Sequence, residues 1–283
     1  MPEAALCGRA SPRACGFARE SCKGSHSSRV SARIGMSNLP KHDYIFVDES
    51  GDAGYALDPA TGKLLSSSYY TLASLHICDD CFRDINRHVA SFRYYTAMNS
   101  NLKLPPEKDV FRRLLEPISE LAASGKNIWA SVVHVDKQNY TGSYLKPGGT
   151  RPPDPTRFRN RMLRCLLEHH FSSYPLRSQH YDLVIDRIEM TKAEVDNLHA
   201  YLAGNYNVPT PTHITHAASI YVEPLQLVHH IAAGFKDVAA GQGLPESLRF
   251  VSARDVTTNQ VVIFKKCLWA RTGLRIIGDP PSP

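Results

Sequence analysis

Long apolar runs are missing from this chain of 283 residues. No stretch approaches the ~20 apolar residues that a helix needs to cross a bilayer, so no membrane segment is expected. The segment Met1 to Gly35 lacks the continuous apolar core of a secretory signal, although it is Arg-rich and acid-poor like an organellar transit peptide. A second CxxC is also missing. Cys78 and Cys81 form one in "ICDDCF", but a structural zinc site needs two further ligands at suitable spacing, so the pair reads as two thiols placed by chance. Seven cysteines is an odd number, and Cys7, Cys15 and Cys22 lie where no apolar periodicity exists. A disulfide framework is therefore not expected, and the thiols fit a reducing, cytoplasmic compartment. Phosphate-binding glycine loops are absent too: "GDAG" has neither the lysine of a P-loop nor Rossmann spacing. "DESGD" lacks the Asp-x-Asp of a haloacid-dehalogenase-like phosphatase, and Ser50 has no Gly-x-Ser-x-Gly around it.

What is present is the composition of an ordinary globular protein, 42% hydrophobic and 21% charged. The net charge of +6 is concentrated at the front. Arg9, Arg13, Arg19, Lys23, Arg29 and Arg33 stand against Glu3 and Glu20, so this segment holds +4 and the remainder only +2. A basic surface on the body must then be local. Residues 1–38 are expected to form a disordered or irregular N-terminal extension, with Met36 an alternative start. A single domain over residues 39–278 and a Pro-rich tail over 279–283 complete the expected organisation.

From Lys41 strand-like and helix-like segments alternate, which argues an α/β domain with a mixed sheet flanked by helices. Strands are expected at His42–Asp48, Tyr69–Ile77, Ile128–Val135, Tyr181–Ile188 and His213–Ile220. Helices are expected at Asp80–Met98, Glu107–Ser124 and Thr156–Phe171, after Lys192, and over "EPLQLVHHIAAGF", where Pro224 suits a first turn.

Two of the strands end on acids. Period two along "YIFVD" sends Tyr44, Phe46 and Asp48 to one face, placing a carboxylate beside aromatic packing. "YDLVIDRIE" repeats the pattern with Asp182, Val184 and Asp186. Asp48 alone is explained by a turn at "ESGDAG". Two matching strands shift the balance toward a shared carboxylate site for a hard cation, Mg²⁺ or Mn²⁺.

"YIFVDESGD", "YYTLASLHI", "LVIDRIE" and "EPLQLVHHIAAG" together resemble, in order from about Asp43 to Ala240, the bacterial proteins called domain of unknown function 3800. The resemblance implies an RNase H-like fold and a metal-dependent nuclease acting on DNA or RNA, in bacterial defence or as a toxin. It places Asp48 and Asp186 as catalytic metal ligands and His229 as a ligand or proton carrier. Two positions depart from the family pattern: Asn101 stands where a Glu precedes Leu-Lys, and His229 where an Asp follows Gln-Leu-Ala. Glu49, Asp52 or Glu107 would compensate for the first, and Glu49 is carried as a catalytic candidate.

Lys103, Arg157, Arg161, Arg164 and Gln226 are candidates for substrate contact, the arginines because Arg151–Arg164 holds five against Asp154 alone. His230 is the fallback for His229, and His216 and Glu223 lie near the same region. The expected partner is nucleic acid, with a protein partner or a second copy also open. The alternative function is an RNase H-like binding or assembly protein whose catalysis was weakened by Asn101 and His229.

Overall fold

The apolar run at Tyr44–Val47 is buried from both sides, which explains its lack of polar alternation: Ile45, Phe46 and Val47 are almost wholly inaccessible. In the computed structural model, which describes residues 42–96, 108–149, 151–178, 180–186, 190–204, 207–257 and 260–263, this run is the centre of β1 (Asp43–Ser50). It pairs antiparallel with β2 (Tyr69–Cys78), which pairs antiparallel with β3 (Ile128–Asp136). On its other side β1 lies parallel to β4 (Tyr181–Asp186), and β4 parallel to β5 (His213–Ala217).

Two further strands extend the sheet beyond β3. β6 (Val251–Asp255) runs parallel to β3, and β7 (Gln260–Ile263) antiparallel to β6, giving the order β5-β4-β1-β2-β3-β6-β7. The sequence reading did not anticipate these two. "VSARD" is short and half polar, and it becomes a strand through pairing with β3.

Helices cover both faces. On one face α1 (Asp79–Thr96), α2 (Lys108–Ala123) and α5 (Glu223–Ala239) bring Ile85, Leu114, Ile118, Leu227 and Ile231 onto Phe46 and Leu75. On the other, α3 (Pro155–Ser173) and α4 (Lys192–Ala203) bring Phe158, Met162, Leu166 and Leu198 onto Ile45, Val47 and Leu183. Each such side chain contributes about 1.5–3 kcal/mol by leaving water. Asp154 caps α3, accepting the Arg157 N–H at 3.0 Å, and Thr191 and Glu194 cap α4 reciprocally. The mixed sheet flanked by helices is the expected α/β class. Among the described residues no helix is long and apolar enough to cross a membrane.

One expected strand is corrected: β5 stops at Ala217, and Ser219–Tyr221 forms a 3-10 turn that swings the chain into α5. The N-terminal extension, the Pro-rich tail, Asn101, Lys103 and Glu107 lie outside the described residues.

The loop after β1 is pinned. Gly51 sits at φ +91°, where a Cβ would approach the Tyr69 carbonyl oxygen to 2.3 Å, so glycine is required in "DESG". Beyond it, the fully buried Lys137 donates from Nζ to Asp52 Oδ1 at 3.1 Å and to the Gly54 carbonyl at 2.9 Å. Lys137→Met keeps the volume and removes these bonds. It is expected to lower stability by about 1.5–3 kcal/mol in urea denaturation; an unchanged midpoint would show that the loop does not depend on the lysine.

Candidate functional site

β1 and β4 are neighbours, with Phe46 opposite Val184 and Val47 opposite Ile185. Continued one residue past Val47 and Ile185, that register puts Asp48 opposite Asp186. Two carboxylates thus leave adjacent strands about 4.8 Å apart, toward the same face of the sheet. α5 lies across that face and reaches both. His229 Nδ1 is 3.0 Å from Asp48 Oδ2. An ionised carboxylate only accepts, so Nδ1 is the donor in this contact. The Asp48 carboxylate is buried and also accepts the Glu49 N–H at 2.7 Å, whereas His229 is 28% exposed and open to solutes.

One turn earlier on α5, Gln226 Nε2 donates to the Ser219 carbonyl at 2.7 Å, and the Ser219 N–H donates to Asp186 Oδ1 at 3.0 Å. Gln226 and His229 are three residues apart on one helical face. The first steadies Asp186 through Ser219 and the second holds Asp48 directly. Gln226 is fully buried, so the structure places it behind the site and not at a substrate surface.

Glu49 does not join this group. Consecutive strand residues face opposite ways, and its carboxylate lies on the α3 side, where Oε2 accepts the Tyr70 hydroxyl at 2.6 Å and pairs with Arg159 Nε at 3.3 Å. Asp52 is engaged by Lys137. Arg157, Arg161 and Arg164 line a groove between α3 and α4 together with Tyr144 and Tyr201. That groove is on the helix layer opposite α5. His230 is buried within α5, and Glu223 begins that helix. His216 lies opposite Ile185 on β5. It lines a narrow cleft with Glu49 and Arg159, both of its ring nitrogens buried without hydrogen-bond partners, and burial lowers its pKa.

Mg²⁺ takes oxygen donors, keeps several waters, and is usually held by one or two carboxylates plus substrate phosphate. Asp48 and Asp186 offer carboxylate oxygens of that kind. They do not close into a three-ligand cage with His229. Among the described residues the group close enough for that is Asp43, His76 and Cys78, at the other end of β1.

Sequence reasoning missed Arg159, Ser219 and that second cluster. "HIC" places His76 and Cys78 two residues apart on one strand face, a signal that period two could have supplied. Ser219 carried no such signal, because its role arises from the turn geometry.

No family model matches the chain, and no curated protein matches it. Among solved structures it is similar to the ribonuclease H2 from Pyrococcus horikoshii, at 14% identity and a TM-score of 0.45, over 70% of this chain and 74% of that one. This weak likeness concerns the shape of the fold alone.

Proposed function

We propose that the chain is a cytoplasmic, divalent-metal-dependent nuclease that hydrolyses phosphodiester bonds in DNA or RNA. The observation that supports it is the placement of Asp48 and Asp186 at the ends of the adjacent strands β1 and β4, with His229 bonded to Asp48. Mg²⁺ or Mn²⁺, when bound, would lower the pKa of a water and offset charge on the phosphate. Asp48 and Asp186 would hold and orient that ion. His229 Nε2 would take the proton of an attacking water, and Asp48, bonded to Nδ1, would stabilise the imidazolium that results. Gln226 would keep Asp186 in position through the Ser219 backbone. The resemblance of four sequence blocks to the domain of unknown function 3800 proteins accords with this reading and would suit a setting in bacterial defence. The arginine groove between α3 and α4 would take up the nucleic-acid backbone at a distance from the reacting atoms.

The test is cleavage. Purified protein with Mg²⁺ or Mn²⁺ is expected to cut at least one of single- or double-stranded DNA or RNA, and a chelator to stop it. His229→Gln is expected to slow cleavage about a hundredfold. Binding without cleavage under every metal and substrate would overturn the nuclease reading in favour of a binding or assembly protein that kept the fold.

A further inference from the structure

Where β1 begins, five residues and about 16 Å from Asp48, the sheet carries a second group of polar side chains that the proposed hydrolysis does not use. Asp43 stands in register with Cys78 of β2, and His76, two residues earlier on β2, faces the same way. All three are 0% exposed. Cys78 Sγ lies 2.7 Å from Asp43 Oδ1, His76 Nε2 lies 3.3 Å from the same oxygen, and all three donor atoms fall within 4.8 Å of one another. His76 Nε2 approaches Asp43 outside hydrogen-bonding geometry and has no other partner.

The surroundings hold these three groups as metal ligands are held. The second oxygen of Asp43, Oδ2, accepts the N–H groups of Arg177 and Ser178 at 2.8 and 2.9 Å and the Ser178 hydroxyl at 3.1 Å, which leaves Oδ1 directed at His76 and Cys78. His76 Nδ1 is 2.9 Å from His170 Nε2, and His170 Nδ1 is 2.9 Å from the Ser131 hydroxyl. A proton on His76 Nδ1, donated to His170, turns the Nε2 lone pair toward the other two donors. Outer hydrogen bonds to the far nitrogen of a histidine and to the far oxygen of a carboxylate are what orient ligands at metal centres.

We propose that Asp43, His76 and Cys78 form a structural zinc site that clamps the start of β1 to the end of β2. One thiolate, one carboxylate and one neutral imidazole suit zinc better than a hard cation. A thiolate and a carboxylate together cancel the charge of Zn²⁺, so the occupied site is electrically neutral inside the core. Binding releases one proton, that of the Cys78 thiol. Tetrahedral zinc sets its ligand atoms roughly 3.3–3.6 Å apart; the His76–Asp43 pair already has that spacing, and Cys78 Sγ is less than ~1 Å short of it from Asp43 Oδ1. The fourth position falls to a water or a backbone oxygen. Complete burial keeps substrate away, which makes the site structural.

The full chain, purified without chelator and with any affinity tag removed, is expected to retain about one zinc per molecule. After the zinc is stripped and replaced by cobalt, a thiolate-to-cobalt charge-transfer band is expected in the near ultraviolet. Cys78→Ser should abolish the band and the retained zinc, while Cys165→Ser should keep both. The proposal is overturned if the parent neither retains zinc nor gives the band with cobalt, or if the band persists in Cys78→Ser. X-ray absorption at the zinc edge of the parent protein needs no variant: one sulfur per zinc is expected, and two or more place the metal on other thiols. None of these readouts involves hydrolysis, so they stand or fall apart from the nuclease reading.

Discussion

Asp48→Asn is expected to reduce metal-dependent cleavage by more than about 100-fold, close to 3 kcal/mol of transition-state stabilisation, with the fold intact. Asp186→Asn should act alike. Outer-shell partners of metal ligands already account for about 10- to 100-fold each, so a ligand itself sets a higher floor. The amide matches the carboxylate in shape and keeps an acceptor for the Glu49 and Ser219 N–H groups that now bond Asp48 and Asp186. What it removes is the charge that would hold the cation. At Asp48 the loss is twofold, since the His229 Nδ1 proton also loses its anionic acceptor. Cleavage rates measured beside circular dichroism spectra separate lost chemistry from lost fold. Equal activity in the parent and both variants would point to a contaminating nuclease and sink the assignment.

Acid is expected to weaken the fold through His169 before most carboxylates titrate. This residue of α3 is nearly inaccessible, and its Nε2 lies 3.0 Å from the hydroxyl of Ser252 on β6. Burial pushes its pKa down to about 4, with the Ser252 bond opposing and the Arg254 charge adding to the shift. Below its ordinary value of about 6.5 the unfolded chain takes up a proton that the folded chain refuses. Stability from this group is therefore complete above about pH 6.5 and is lost as pH falls toward the folded value, by about 3 kcal/mol in all. Urea denaturation across this pH range should show the decline. His169→Gln retains a hydrogen-bonding group for Ser252 and cannot titrate, so its stability should vary less with pH by that amount. The same slope in parent and variant would show that another group is responsible.

The partner of His169 illustrates where sequence reasoning stopped. β1, β2 and β3 were legible because each carries several apolar residues that sheet burial demands. Ser252 was not, because "VSARD" becomes a strand only beside β3. Period two placed Asp48 with Phe46 and Asp186 with Val184, and the helical spacing of Gln226 and His229 placed them on one face. The same period-two rule sends Glu49 to the face opposite Asp48, where it meets Tyr70 and Arg159 and stands apart from the catalytic role expected of it. The arginines of α3 followed charge density alone. Density does not say which layer of the sheet a helix covers, and α3 covers the one away from α5.

The sequence by itself determined which way each side chain points on its own strand or helix, since that follows from local backbone geometry. Only the tertiary structure decided that β1 lies between β4 and β2. That neighbourhood sets Asp48 beside Asp186 at one end of β1 and Asp43 beside His76 and Cys78 at the other. Strand order arises from pairing between segments distant along the chain, whose energy depends on how whole layers pack, and no local period encodes it.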